Sequence, residues 1–167
     1  MHGQSNWVLV KTLIFAVVAP GTVTVVVPYL LLSPRVEFEM GMARFAGVVP
    51  IVLGAIGLLW CALDFVFTGC GTPAPIDPPK VLVVKGLYRW VRNPMYVTVG
   101  LVLAGEAILF QSLRLLAYAL LAWLACHMFV VFYEEPTLRK KFGAAYEAYR
   151  QAVPRWIPRL TPRTGRA

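Results

Sequence analysis

Charge is what this 167-residue chain has least of: charged side chains make up 14% of it, against about a quarter in soluble globular domains. Acidic residues are the scarcer kind, 8 against 16 Lys and Arg. Cysteines number three, Cys61, Cys70 and Cys126, with no CxxC and no nearby histidine pair. Neither a disulfide framework nor a metal site is expected from them. Gly-rich phosphate loops, GxSxG and HExxH are absent, which leaves hydrolase and nucleotide-triphosphatase readings unsupported. Hydrophobic residues fill the space, at 59% of the chain against roughly 45 to 50% in an average domain. That composition excludes a disordered or nucleic-acid-binding chain, and the net charge of +8 points instead to an anionic bilayer face.

Four apolar runs are long enough, or nearly so, to cross a bilayer, which takes about 20 residues in a helix. They run from Trp7 to Leu32, Phe45 to Phe67, Met95 to Phe110 and Arg114 to Tyr133. The first is too long for a signal peptide and lacks a good cleavage site, so a retained span is expected, kinked at Pro20 and Pro28. Gly47, Gly54 and Gly57 in the second suit close helix packing. The third is short and only three residues from the fourth, which predicts a helical hairpin. Beyond it, Leu138, Phe142, Ala145, Tyr149 and Val153 recur at helical spacing, with Arg139, Lys140, Glu147 and Arg150 between them. The expected fold is therefore all-α and membrane-integral, with about four transmembrane helices and a cytoplasmic amphipathic helix ending near Pro154. The whole chain, 1–167, reads as one domain: two N-terminal spans in 7–67, a loop in 68–94 containing a proline-rich strap, and a hairpin and tail in 95–167.

Unusual polar residues gather in two places, the loop up to Tyr96 and the stretch from Glu134 to Arg159. Tyr88, Arg89, Trp90, Arg92, Asn93 and Tyr96 suit an interfacial belt. Glu134 and Glu135 stand side by side where the fourth span is expected to end, and a helix C-terminus disfavours negative charge, so cationic company is expected there. Glu106, inside the third span, should point inward or toward the outer interface. Asp64 could pair with Arg89 or Arg92, and His127 reads as a satisfied packing residue.

These residues also carry a resemblance. The run Gly86-Leu87-Tyr88-Arg89-Trp90-Val91-Arg92-Asn93-Pro94-Met95-Tyr96, then Glu134-Glu135-Pro136-Thr137-Leu138, Phe142 to Tyr149, and Val153-Pro154-Arg155-Trp156-Ile157-Pro158 resembles the isoprenylcysteine carboxyl methyltransferase and phospholipid methyltransferase family over about the last ninety residues. The resemblance implies a membrane enzyme that uses S-adenosylmethionine, bound on the cytoplasmic side beneath the C-terminal segment. It implies that Lys80, Val81, Leu82 and Val83 line the cofactor pocket, that Tyr88 contacts the cofactor, and that Asn93, Pro94, Met95 and Tyr96 occupy the family's Arg-His-Pro-x-Tyr segment. Glu134 falls on the cofactor-holding glutamate. Arg92, Asn93 and Glu135 are the catalytic candidates, Glu135 as a base. The chain departs from the carboxyl methyltransferases at Asn93, where histidine is commoner, and at Val130, where those enzymes tend to carry a substrate-binding arginine. The expected partners are a lipophilic small-molecule substrate and the bilayer, not nucleic acid, with the oligomeric state left open. An NADPH-dependent membrane reductase related to sterol reductases and a non-catalytic lipid-binding module are the alternatives.

Orientation follows from loop charge, because Lys and Arg on short loops stay in the cytoplasm. Lys80, Lys85, Arg89 and Arg92 precede the third span, and Arg139, Lys140, Lys141, Arg150 and Arg155 follow the fourth. Both ends and the active site are therefore expected in the cytoplasm. Reporter fusions at Met40 and after Arg166 should report opposite sides of the membrane; the same side for both contradicts four spans.

Overall fold

The computed structural model describes residues 18–32, 37–68 and 82–161, and among these the regular structure is helical, without strands. Helix α1 is Val18–Leu31, the described part of the first apolar run. A 3-10 turn, Gly41–Gly47, leads into α2, Val48–Thr68. A second 3-10 turn, Gly86–Arg89, precedes α3, Pro94–Leu109. Then come α4, Leu113–Phe129, a π-turn at Val130–Glu134, α5, Glu135–Phe142, and α6, Ala144–Ala152.

Two continuous helical stretches are long and apolar enough to cross a membrane, Gly41–Asp64 and Leu113–Phe142, and only 22% and 11% of their apolar windows are buried. Leu53, Ile56, Leu59 and Leu63 on α2, and Leu116, Leu120, Leu124 and Met128 on α4, are exposed. A water-soluble protein does not leave stripes of that size bare; a helix facing lipid does. The α3 helix matches the expected third span but has 16 residues, and most of the first half of the expected first span lies outside the described residues, as does the proline-rich strap.

Prolines shape the helices differently from the expected kinks and stops. Pro28 and Pro136 each lie two residues beyond a π-turn, Thr22–Val26 and Val130–Glu134 respectively. A proline ring clashes with the carbonyl four residues earlier and offers no N–H; widening the preceding turn relieves that clash. The helix consequently runs on through Glu134 and Glu135 to Phe142, and the two glutamates are not at a helix C-terminus. The tail helix in turn is broken in two at Gly143, whose φ of +50° suits glycine.

Glycine brings α2 against α3. The Cα of Gly54 is so close to α3 that a Cβ would come within 2.6 Å of the Thr98 carbonyl oxygen and 2.7 Å of Val102 Cγ2. Gly47 and Gly105 face each other in the same seam, each barred from a side chain by the other's carbonyl. Carbonyls and glycines at such distances leave dispersion and weak hydrogen bonding as the adhesive between spans.

At the other end of α3 the first connection and the hairpin tip are tied together. Glu37 accepts hydrogen bonds from the Ser112 hydroxyl at 3.0 Å and the Arg114 amide at 3.1 Å, and pairs with the Arg114 guanidinium at 3.0 Å. Those contacts, the Arg114 amide first, hold the Glu37 carboxyl below its usual range. Ser112 also accepts from Leu115 as the N-cap of α4, while Gln111, at φ +51°, receives the Met40 amide on its side-chain oxygen.

Gly54→Val should therefore force α2 and α3 apart. Overpacking of this kind costs about 1 to 3 kcal/mol, so thermal unfolding of the detergent-purified variant should fall clearly below that of the parent, whereas Gly41→Ala, which meets no neighbour, tests only the cost of its positive φ.

Candidate active site

Opposite the Glu37 latch, the chain before α3 and the chain after α6 are laid against each other. Leu82, Val83 and Val84 send their side chains into two different clusters. Val83 packs with Tyr88, while Leu82 and Val84 join Tyr146, Tyr149 and Val153. Tyr149 donates its hydroxyl to the Tyr88 carbonyl at 2.7 Å. The Arg92 amide donates to Pro154 at 2.9 Å, the Arg159 amide to Trp90 at 3.0 Å, and Asn93 Nδ2 to the Arg155 carbonyl at 3.2 Å. Lys80 and Val81 lie outside the described residues.

Local sequence explains the turn into α3. Gly86, at φ +50°, is crossed by the Asp64 carboxylate where a Cβ would stand, so only glycine serves there. Pro94 opens α3 at its first turn, where a missing N–H costs nothing. Asn93 is buried and its side chain serves the tail rather than the helix. Met95 accepts the Thr98 hydroxyl on its carbonyl.

The paired glutamates divide their work. Glu134, from the π-turn, accepts the Tyr96 hydroxyl on Oε2 at 3.2 Å. Tyr88 stands close enough to feel this carboxylate: burial foremost, then neighbouring groups including Glu134, pushes its phenol well above the usual range. Tyr88, Tyr96 and Glu134, all expected at the cofactor, are thus brought together by three separate segments. Glu135 turns the other way. Its Oε1 is 2.6 Å from Arg155 Nε and 3.1 Å from Arg92 Nη1, and its Oε2 accepts Arg155 Nη2 at 2.9 Å. The side chains of Arg92 and Glu135 are only 9% and 8% exposed, and Arg92 also donates to the Tyr146 hydroxyl at 3.4 Å.

Cationic company for the acid pair is therefore found, but by burial rather than by a helix terminus. Arg92 is committed to Glu135 and not to Asp64. Guanidiniums from Arg92 and Arg155 take up both Glu135 carboxylate oxygens; its geometry is that of a clasp between loop and tail. His127 behaves as expected of a packing residue, accepting the Trp156 indole N–H on Nδ1 at 3.0 Å. Glu106 remains apart, on α3 toward the Glu37 end, with a buried carboxylate oxygen that no described group satisfies.

Arg155 and Trp156 are the residues whose roles sequence reasoning missed. Both stand in the tail motif, but nothing in their spacing reveals that one reaches Glu135, twenty positions earlier, and that the other meets Trp123 at a tilt with ring centroids 4.6 Å apart and meets Tyr96 edge-on at 6.5 Å. The Glu135 hydrogen bonds raise the Arg155 guanidinium above even its usual range, and removing them should loosen the tail. Arg155→Met, which leaves Arg92 on Glu135, is expected to lower stability by about 2 kcal/mol, the loss of its charge-assisted hydrogen bonds. Arg155→Lys should recover only part of this, since an ammonium lacks the bidentate fork. Unfolding midpoints of the three proteins in one detergent measure the series.

Comparison with known proteins adds one finding. The phospholipid methyltransferase family matches residues 42–145, from the 3-10 turn before α2 into α6, so the match begins earlier than the sequence motifs and stops short of Arg155 and Trp156. No curated protein and no solved structure matches the chain. The family match takes in more than half of the sequence, including the seam of α2 on α3, Tyr88, the Asn93 to Tyr96 segment and both glutamates. This chain belongs to the phospholipid methyltransferase family, whose members are membrane methyltransferases.

Proposed function

We propose that the protein transfers a methyl group from S-adenosylmethionine to a lipophilic acceptor, at the cytoplasmic ends of four spans. The observation that carries this reading is the meeting of Tyr96, from the start of α3, with Glu134, from the π-turn after α4, inside the residues the family matches. The donor set fits the cofactor. A carboxylate suits ribose hydroxyls or an ammonium group, aromatic rings suit a sulfonium, at about 0.5 to 2 kcal/mol each, and the Leu82–Val83 segment offers backbone groups to a base. Leu82, Val83, Tyr88, Pro94, Met95, Tyr96 and Glu134 would hold it, and the family resemblance adds Lys80 and Val81 to the proposed set.

S-adenosylmethionine supplies an electrophilic methyl group on a positively charged sulfur. In-line displacement asks the protein chiefly for alignment, not acid–base power. Tyr96 fixes the Glu134 carboxylate by hydrogen bonding, and Tyr88 closes the side toward α6. Arg92, Asn93 and Glu135 act one step away: they clasp the tail over the loop and so position the groups that touch the cofactor. A proton leaving an amine or thiol acceptor needs another taker than Glu135, and solvent at the helix ends is the simplest. Together, the Glu37 latch joining the two connections poor in Lys and Arg and the clasp joining the two basic segments support four spans with both termini inside.

Glu134→Gln keeps the shape of the side chain and removes its charge. Loss of a charge-assisted hydrogen bond is worth about 1.5 to 3 kcal/mol, so calorimetry should find S-adenosylmethionine bound roughly 10- to 100-fold more weakly with the unfolding midpoint little changed. Unaltered affinity would move the cofactor elsewhere.

The acceptor follows from Val130, which is fully buried. A substrate carboxylate at that place would face aliphatic packing, and an unpaired charge costs several kcal/mol there. An acceptor with an amine or thiol head is expected. With labelled donor, long-chain amine or thiol should be methylated in preference to prenylcysteine; efficient methyl ester formation on prenylcysteine would refute the assignment.

A further inference from the structure

The tail beyond α6 does not stay level with the helix ends. Trp156 packs against Trp123 at a tilt, and Trp123 in turn lies against Gly100, where a Cβ would come within 3.3 Å of its ring. Gly100 is six residues into α3, about 9 Å from Pro94 at 1.5 Å per residue. His127, which receives the Trp156 indole N–H, is likewise about 10 Å back along the helical path from Glu134. The indole therefore reaches well inside the helix bundle.

Length places this depth relative to a bilayer. The α3 helix has 16 residues and measures about 24 Å, against roughly 30 Å of hydrocarbon. Its partner, Leu113–Phe142, has 30 residues and measures about 45 Å. The two meet at the hairpin tip, so the deficit of α3 falls wholly at its Pro94 end and leaves a notch beside α4. The tail occupies that notch, through the bonds of Arg92 to Pro154, Asn93 to Arg155 and Arg159 to Trp90.

Its chemistry suits a non-aqueous place. Pro154 and Pro158 have no N–H to leave unpaired. Arg155 is paired with Glu135. Arg159 bends its side chain back to the Ala152 carbonyl at the end of α6, as a basic residue near an interface does when it snorkels. What the segment turns outward is apolar: Ile157 is 78% exposed and Leu160 96%. Lys140, on the part of the long helix beyond the hydrocarbon, is exposed too, so charge sits above the notch and aliphatic surface within it.

We propose that residues 154–160 form a wedge embedded in the cytoplasmic leaflet, completing the short third span, with Ile157 and Leu160 against lipid acyl chains. The proposal rests on the reading of α3 and α4 as membrane spans. It differs from a tail that lies on top of the bundle in water.

Spin labels on single cysteines test it in full-length protein reconstituted in phosphatidylcholine vesicles, after Cys61→Ala, Cys70→Ser and Cys126→Ala. Labels are placed by Ile157→Cys, by Leu124→Cys on the exposed face of α4, and by Lys140→Cys. Collision with oxygen should exceed collision with a water-soluble nickel chelate at 157 and 124, and the order should reverse at 140. A label at 157 that behaves like the one at 140, while 124 stays lipid-like, overturns the wedge alone; a water-exposed label at 124 overturns the spans beneath it. A second measurement keeps all native cysteines. Ile157→Asp should speed tryptic cleavage after Arg159 in vesicles relative to Ile157→Leu, because a carboxylate is expelled from hydrocarbon; equal rates would place the segment in water.

Discussion

The Glu135 carboxylate, shared between Arg92 and Arg155, is the interaction on which the site end of this protein depends. Burying three charges is expensive, and each guanidinium offsets that cost only while the carboxylate stays between them. The consequence is positional. Arg92 belongs to the approach to α3 and Arg155 to the tail, so the cluster can be satisfied only when two segments some sixty residues apart lie side by side. Once they do, the backbone bonds from Arg92, Asn93 and Arg159 follow, and Tyr149 meets Tyr88. The clasp buys specificity of arrangement rather than raw stability.

Two backbone devices deliver the glutamates to that place. Pro136 would end an ordinary α-helix, yet the π-turn before it lets the chain continue, and neighbouring side chains on a helix point in different directions. Glu134 thus faces Tyr96 while its neighbour faces the arginines. Glycine supplies the other device, since the close approach of Gly54 and Gly105 to the facing helix sets where α3 stands and hence where Tyr96 is presented. The far latch of Glu37 on Ser112 and Arg114 fixes the opposite end of the same hairpin.

Much of this was legible in the sequence. The α3–α4 hairpin and the glycines of the α2 seam follow from hydrophobic runs, which are local properties, while the meeting of Tyr96 with Glu134 was implied by the family resemblance. The helix running through Pro136 was not legible, because a proline reads as a boundary unless the widened turn before it is seen. The break at Gly143 was hidden by an apolar period that continues across it. Arg155 and Trp156 escaped notice for a different reason: an arginine in a basic tail looks solvated, and only tertiary structure shows which carboxylate it reaches. Glu135 was legible as a candidate base, but the two guanidiniums upon it come from segments far along the chain and only tertiary structure shows them.

Family membership, the Tyr96–Glu134 pair and the clasp beside it converge on one account, a membrane methyltransferase whose loop and tail jointly form the donor site. Incubating membranes that contain the protein with donor labelled in its methyl group, then resolving the extracted lipids, addresses that account most directly. It predicts label in a lipophilic product that is abolished by S-adenosylhomocysteine and reduced in Arg155→Met membranes. No labelled lipid from folded protein, with donor binding absent as well, would contradict it.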